Sequence, residues 1–209
     1  MPSSRPPQPD CLADFNHINR YWDRRHKMWA AKILPGEYYV TVNPDEAVAT
    51  TLGSCVSACI RDKVFGIGGM NHFMLPEHNE HTSDAWMDSA TRYGGYAMEH
   101  LINTILSHGG NRKNLEVKLT GGGKILENLS DIGARNIEFV LDYLHTENLP
   151  LLAKDLGGDY PRKVMYFPAT GKMKVKKLKS MHNETLIHRE QEYQHELDVQ
   201  PDSGGVELF

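Results

Sequence analysis

The chain has 209 residues and a formal net charge of −4, with 40% hydrophobic and 24% charged residues. This length fits one full-sized domain, and the charge gives no reason to expect nucleic acid or an anionic membrane as a partner. The sequence shows neither a run of about 20 apolar residues nor the apolar stretch of a signal peptide. We therefore expect a cytoplasmic protein without membrane insertion. An odd set of 3 cysteines argues against a disulfide framework.

Three parts are predicted along the chain. Residues 1–35 begin with a Pro- and Ser-rich segment and are predicted to be an N-terminal extension that packs on the domain surface, with a docking segment for a partner as the alternative. Residues 36–180 are the predicted folded domain. Residues 181–209 are polar and cannot bury enough apolar surface to offset their ordering entropy. We expect a disordered tail there, with a helical turn or two near 185–197.

Within the domain, hydrophobic periodicity predicts strands with helices inserted among them. Short runs bounded by turn residues and rich in β-branched residues predict strands, which cover 37–42, 48–51, 52–60, 66–75, 115–120, 151–156, 163–167 and 172–178. Apolar residues at helical spacing predict helices over 83–108 and 131–147. This order of elements indicates an α/β fold. The alternating lysines of 172–178 are typical of a charged edge strand.

A hairpin formed by the strands around Cys55 and His72 would bring a thiol and an imidazole together. A turn centred between Lys63 and Val64 places Cys55 opposite His72, and opposed side chains of antiparallel strands have Cβ atoms about 4.5–5.5 Å apart. A slip of one residue would put them on opposite faces. Cys59 lies about 13 Å along the strand from Cys55, too far for a disulfide, and is predicted to be a small core residue.

The residues that flank this pair favour nucleophilic chemistry. Gly53 and Ser54 precede Cys55 at a predicted sharp turn, where free backbone N–H groups would stabilise a thiolate or the oxyanion of a tetrahedral intermediate. Gly53 and Ser54, together with Asn71, are the predicted substrate-binding or oxyanion residues. Small buried cysteines and histidines that satisfy a core hydrogen bond are also common, so the pattern alone leaves both interpretations of Cys55 and His72 open.

Two further patterns suggest ligand sites but lack the required spacing. One is the run that contains His72, His78, His81 and Asp84. It matches no familiar zinc pattern, so no metal site is predicted. The other is Thr120–Lys124, which is rich in glycine but lacks the spacing of a phosphate-binding loop. It predicts a tight strand-to-helix turn near the site, and no cofactor is predicted.

Several stretches together resemble a known family. Thr51–Asp62 (TLGSCVSACIRD) and Gly68–Pro76 (GGMNHFMLP) resemble the signature of the CheD family of chemoreceptor glutamine deamidases. The likeness covers roughly residues 37–180 and continues through Gly121–Gly123, Ile132–Val140, Asp155–Arg162 and Phe167–Gly171. It is therefore a resemblance of a whole domain rather than of one motif.

The resemblance implies a layered α/β sandwich with mixed or antiparallel sheets, related to the deamidating cytotoxic necrotizing factor toxins. It implies hydrolysis of specific glutamine side chains to glutamate on the cytoplasmic helices of bacterial chemoreceptors, which tunes chemotactic adaptation. A CheC-type phosphatase is a partner in some members, and no cofactor is implied. Two alternatives remain: a catalytically weak adaptor for receptor or phosphatase, and a protease or transglutaminase that uses the same thioester chemistry.

Carried onto this sequence, the nucleophile of the family is Cys55 and its histidine is His72. His72 would take the thiol proton while Cys55 attacks the amide carbon of the substrate. Some members place a catalytic threonine six residues before the cysteine, and that position here is Ala49. Thr50 and Thr51 lie beside it. Thr50 is the predicted third residue, and a backbone carbonyl is the alternative group that would orient the histidine.

Overall fold

The computed structural model describes residues 5–76, 83–125, 132–178 and 184–199. Its strands are, in chain order, β1 (Asn19–Asp23), β2 (Met28–Lys32), β3 (Tyr38–Thr41), β4 (Glu46–Leu52), β5 (Val56–Asp62), β6 (Gly68–Asn71), β7 (Leu115–Gly121), β8 (Leu151–Leu156), β9 (Arg162–Phe167) and β10 (Lys172–Lys177). Its longer helices are α1 (Ser83–Ser107), α2 (Ile132–Thr146) and α3 (Glu184–Val199). Single 3-10 turns lie at Ala13–Phe15 and Arg112–Asn114.

The strands form two mixed sheets. The first has the order β1-β2-β4-β9-β10, in which only β2 and β4 are parallel. The second has the order β3-β6-β5-β7-β8, in which only β7 and β8 are parallel. Helices α1 and α2 pack on the second sheet, and buried side chains of both sheets and both helices share one core. The predicted α/β class with mixed sheets is confirmed, and the lysine-rich β10 is an edge strand as predicted.

The connection between β4 and β5 departs from the predicted strand over 52–60. β4 ends at Leu52 and β5 begins only at Val56, because Gly53 to Cys55 leave the extended conformation between strands of different sheets. Backbone N–H groups in this connection are therefore free of either ladder and available to a ligand. Within the described ranges, no helix combines the length and apolar character that crossing a bilayer demands.

The predicted hairpin exists, but its register is different. Cys59 pairs with Met70, and Val56 forms a bridge with Phe73, so the turn is centred one residue later than the sequence suggested. His72 therefore lies diagonal to Cys55 rather than directly opposite. Because the pairing shifts by two residues, the two side chains stay on the same face of the sheet, and diagonal neighbours remain within reach of long side chains.

Residues 19–32 belong to the first sheet and are not an extension outside the domain, which corrects the predicted boundary for this stretch. β2 lies between β1 and β4 in the first sheet, and the side chains of Ala30 and Ala31 are fully buried. Arg20 of β1 reaches the buried Glu46 carboxylate of β4 at 3.4 Å. The two alanines of β2 give little hydrophobic signal by themselves. The parallel partner of β2 is β4, which follows only after β3, so local periodicity did not predict the strand.

Phe15 offers a test of whether the N-terminal residues belong to the core of the domain. Its ring is 1% exposed and lies 5.2 Å and 5.0 Å from the rings of Tyr38 and Tyr39. Phe15→Ala should lower the free energy of unfolding by about 3–5 kcal/mol, as measured by urea denaturation. Phe65→Ala is the matched control, because that ring is 58% exposed, and it should cost less than about 1 kcal/mol. Equal losses would contradict the assignment of Phe15 to the core.

The segment predicted as a disordered tail with a helical turn or two near 185–197 contains a longer, docked helix, α3, which corrects the prediction of disorder for 184–199. Residues with low exposure recur along one side of α3 and include Glu190, at 1%, and Gln194, at 6%. The hydrophobic argument missed this helix because polar groups make much of its contact with the domain. The rest of the predicted tail, 181–183 and 200–209, lies outside the described residues.

Candidate active site

The three predicted catalytic side chains lie together between the two sheets. Thr50 belongs to β4, Cys55 lies just before β5 and His72 lies just after β6, and all three are buried. Alternation along β4 turns Thr50 toward the second sheet, on the same face as the core residue Val48. Ala49 faces the other way, into a separate small cluster. Of these two positions, only Thr50 therefore faces His72.

A hydrogen-bond chain sets the tautomer of His72. The Thr50 hydroxyl lies 2.9 Å from the carbonyl oxygen of Ile33 and 2.8 Å from Nδ1 of His72. Since a carbonyl only accepts, the hydroxyl donates to Ile33 and accepts from Nδ1–H. Nε2 then carries the lone pair. Among the described residues this buried nitrogen has no hydrogen-bond partner, so it is available as a base.

The Cys55 thiol lies beside His72 and Glu190. The Cys55 sulfur, a ring nitrogen of His72 and a carboxylate oxygen of Glu190 are within 4.8 Å of one another. Burial raises the pKa of the Cys55 thiol well above its usual range, and the Glu190 carboxylate raises it further. Burial lowers the pKa of the His72 imidazole to about 3. With Glu190 in place, thiol and imidazole are both neutral, and the raised pKa of the thiol and lowered pKa of the imidazole oppose proton transfer between them.

The connection before Cys55 forms an anion-binding subsite. The backbone N–H groups of Gly53 and Ser54 donate to the two carboxylate oxygens of Glu190 at 2.7 Å and 2.8 Å. The Ser54 hydroxyl donates to the second oxygen at 2.6 Å. Three donors beside a buried thiol match the requirement of a tetrahedral oxyanion. Gly53 and Ser54, predicted for this role, are therefore brought to the site.

The glycine-rich loop after β7 holds this connection in place. The N–H of Gly122 donates to the carbonyl of Cys55, and the N–H of Gly123 donates to the carbonyl of Gly53, both at 2.8 Å. Gly121 has a φ of +124°, and a Cβ there would lie 2.2 Å from the Cys55 carbonyl oxygen. Only glycine allows this approach, so the predicted tight turn near the site also fixes the backbone of Cys55.

Comparison with known proteins shows the family to which the chain belongs. A family model described as CheD chemotactic sensory transduction matches residues 74–177. A protein of Halorhodospira halophila named "Probable chemoreceptor glutamine deamidase CheD" is 56% identical, over 96% of this chain and 94% of that protein. Proteins of the same name from Hahella chejuensis and Saccharophagus degradans are 48% and 51% identical, over 97% and 95% of this chain and 96% and 93% of their own. The chain belongs to the CheD family.

One predicted residue does not reach the CheD site. Asn71 accepts from the Ala58 N–H at 2.8 Å and donates to the Ala97 carbonyl at 3.1 Å. Adjacent residues alternate across a sheet, so Asn71 lies on the side that faces α1 while His72 lies on the side of the thiol. This corrects the predicted substrate-binding role of Asn71, whose side chain instead ties β5 and β6 to α1.

Asn136 and Arg162 hold the backbone around the candidate site, and Asn136 was missed as a site residue. The Asn136 amide donates to the Ser54 carbonyl at 2.9 Å and accepts from the Leu75 N–H at 2.8 Å. Arg162 donates to the Gly121 carbonyl at 3.1 Å and pairs with Asp155 at 2.9 Å. For Asn136 a signal existed, since a polar residue on the apolar face of α2 needs a buried partner.

Glu190 was also missed, and no local pattern marks it. Its helix is polar, and Glu190 is one of several acidic residues in α3. The hydrogen bonds from Gly53 and Ser54 that hold it span more than a hundred residues of sequence. Only the three-dimensional structure brings this carboxylate to the Cys55 thiol.

Cys55, His72 and Glu190 also form a group of potential metal ligands in the described part of the chain. Both Glu190 oxygens, however, already accept hydrogen bonds, and Nδ1 of His72 is bonded to Thr50. A metal ion would need the carboxylate lone pairs that accept these hydrogen bonds. The donors around Glu190 therefore fit a hydrogen-bonded carboxylate better than a metal-bound one. His78 and His81 of the other histidine run lie outside the described residues.

Proposed function

We propose that this CheD-family chain hydrolyses the side-chain amide of specific glutamines on methyl-accepting chemotaxis receptors to glutamate, and so tunes chemotactic adaptation. The names of its relatives support the substrate. One observation carries the chemistry: the His72 base, with Nδ1 held by Thr50, lies within 4.8 Å of the Cys55 thiol. The chain is thus a protein-glutamine glutaminase with a cysteine nucleophile.

The reaction follows from these positions. His72 Nε2 takes the thiol proton, and Cys55 attacks the amide carbon while the N–H groups of Gly53 and Ser54 stabilise the oxyanion. The imidazolium protonates the departing ammonia, which leaves a thioester on Cys55. His72 then activates a water molecule, and attack of this water on the thioester releases glutamate and restores the thiol.

The adaptor alternative rested on Ala49, which stands where some members carry the catalytic threonine. Thr50 supplies a hydroxyl to His72 from the next position, at 2.8 Å. This contact supports His72 as a base held by Thr50, and we favour the enzyme.

The proposal extends to the fold, the location and the partners of the chain. The two-sheet α/β architecture supports the implied relation to the cytotoxic necrotizing factor toxins. We propose the bacterial cytoplasm as the site of action, since receptor glutamines on cytoplasmic helices are the substrate. A CheC-type phosphatase remains a proposed partner. The catalytic unit is the proposed CheD-like domain, with the first strands included.

Thr50→Val tests the role of the hydroxyl. Losing one buried hydrogen bond worth about 1–3 kcal/mol should lower kcat roughly 10- to 100-fold, because Nδ1–H no longer fixes the tautomer. The KM for receptor should change little, since Thr50 does not contact the substrate. Thr51→Val is the matched control on the opposite face of β4 and should keep kcat. A loss with Thr51→Val equal to that with Thr50→Val would contradict the assignment.

The proposed function is tested with the cytoplasmic fragment of a chemoreceptor from the same cell. Incubation with the purified protein should raise the mass of particular receptor peptides by about 1 Da per glutamine, with one ammonia released for each. Peptide mass spectrometry and an ammonia assay measure the two products. Binding to the fragment without any mass gain would overturn the deamidase proposal and favour the adaptor.

A further inference from the structure

Helix α3 docks on the active site through a polar residue. Along its length the less exposed positions recur at helical spacing, and Glu190, at 1% exposure, is the most buried of them. Exposed residues such as His188 and Glu192 lie on the outer side, where they pair at 3.2 Å. A carboxylate at the centre of a docked face is unusual, because burial of an ionised carboxylate is costly unless donors replace its water.

The donors that replace water are those of the active site. Gly53, Ser54 and the Ser54 hydroxyl together provide three hydrogen bonds of 2.6–2.8 Å. A Cβ on Gly53 would lie 2.7 Å from a Glu190 oxygen, so the carboxylate packs directly against the backbone. Glu190 is thus bound in the way that the site would bind a reacting group, next to the Cys55 sulfur.

The side chain of Glu190 has the same chemical structure as the product of the proposed reaction. A glutamate side chain on a helix is the product of deamidating a glutamine on a helix. Building on the proposed function, we propose that α3 is an intramolecular product analogue: Glu190 fills the subsite for the substrate side chain, and α3 lies in the groove that a receptor helix enters. The receptor helix must therefore displace α3.

Two contacts around Glu190 hold α3 in this groove. The Tyr193 hydroxyl is hydrogen-bonded to the Tyr93 hydroxyl of α1. The Tyr193 ring lies over Gly36, where a Cβ would be 3.1 Å from the ring. Because Cys55 is 0% exposed with α3 in place, the docked form excludes substrate. The apparent affinity for receptor is then lowered by the fraction of molecules in which α3 is undocked.

The sharpest test places a glutamine on α3 as an intramolecular substrate. In Glu190→Gln the introduced amide should be attacked by Cys55: the C–N bond breaks, ammonia leaves with a proton from His72, and water hydrolyses the resulting thioester. The product is glutamate at position 190. The peptide that contains position 190 should then be about 1 Da heavier than the same peptide of the Glu190→Gln/Cys55→Ala double variant, in which the amide persists.

Glu192→Gln is the matched control on the same helix, since the Glu192 side chain is 61% exposed. Its introduced amide should persist with Cys55 intact. Conversion at position 190 that is first order and independent of protein concentration supports the intramolecular product analogue. Persistence of the amide at 190 in the Cys55 protein, or equal conversion at 190 and 192, would overturn it.

A second measurement separates this inference from the proposed function. Glu190→Ala should raise kcat/KM for the receptor fragment several-fold, chiefly through a lower KM, because α3 competes less well. If wild type deamidates receptor but Glu190→Ala leaves kcat/KM unchanged or lowers it, the product-analogue inference fails alone. If wild type does not modify the receptor and the amide also persists in Glu190→Gln, the proposed function fails.

Discussion

Cys55→Ala is expected to abolish receptor deamidation, with a loss in kcat of at least about 1,000-fold. The alanine side chain removes only the sulfur, so the hydrogen bonds that the backbone of Cys55 accepts from Gly122 are retained. Without the thiol no thioester forms, and the remaining donors of Gly53 and Ser54 have no covalent intermediate to stabilise. The time course of the mass gain on receptor peptides measures this loss.

Cys59→Ala is the matched control for this prediction. Cys59 is also fully buried and lies on the same strand face, but its sulfur is 3.8 Å from that of Met173 in the core between the sheets. The Cys59→Ala variant should deamidate the receptor at nearly the wild-type rate, with a small decrease in the free energy of unfolding. Deamidation by Cys55→Ala at the rate of Cys59→Ala would rule out Cys55 as the nucleophile.

His72→Gln should have the second largest effect. Removing a positioned general base typically costs about 100- to 10,000-fold in rate, and no other described imidazole lies in the Cys55, His72 and Glu190 group. The loss should appear in kcat for receptor deamidation. Alkylation of Cys55 by iodoacetamide, measured at neutral pH in the Glu190→Ala background to open the site, should slow as well, because the imidazole no longer accepts the thiol proton.

His145→Gln on α2 is the control for this substitution, because His145 is exposed on the surface of α2. It should match wild type in both the deamidation and the alkylation rate. Urea unfolding of both variants shows whether the fold is retained. A folded His72→Gln variant with wild-type kcat would contradict the assignment of His72 as base.

The local parts of the site were predictable from the sequence. Cys55 and His72 follow from one hairpin and a family resemblance, and Gly53 and Ser54 follow from the turn before the nucleophile. The register of the hairpin was wrong by one position at its turn, yet an even shift in pairing kept both side chains on one face. Thr50 was distinguishable from Thr51 only once the pairing of β4 fixed which face met the second sheet.

The parts that failed depend on partners far away in sequence or on polar docking. Periodicity gave no signal for β2, whose short run of alanines is buried only because a parallel partner follows after β3. The hydrophobic criterion treated α3 as unable to dock, but its central contact is a carboxylate bound by backbone N–H groups. Asn71 was misjudged because proximity in sequence to His72 says nothing about its face.

The most direct test of the central claim, a thioester on Cys55, is to run the receptor reaction in the presence of hydroxylamine. A thioester should partition between water and hydroxylamine, so the same glutamines should yield glutamate, about 1 Da heavier, and a hydroxamate, about 16 Da heavier, in a ratio set by the hydroxylamine concentration. Neither product should form with Cys55→Ala. Deamidation that gives glutamate alone at every hydroxylamine concentration, with Cys55→Ala still active, would contradict covalent catalysis by Cys55.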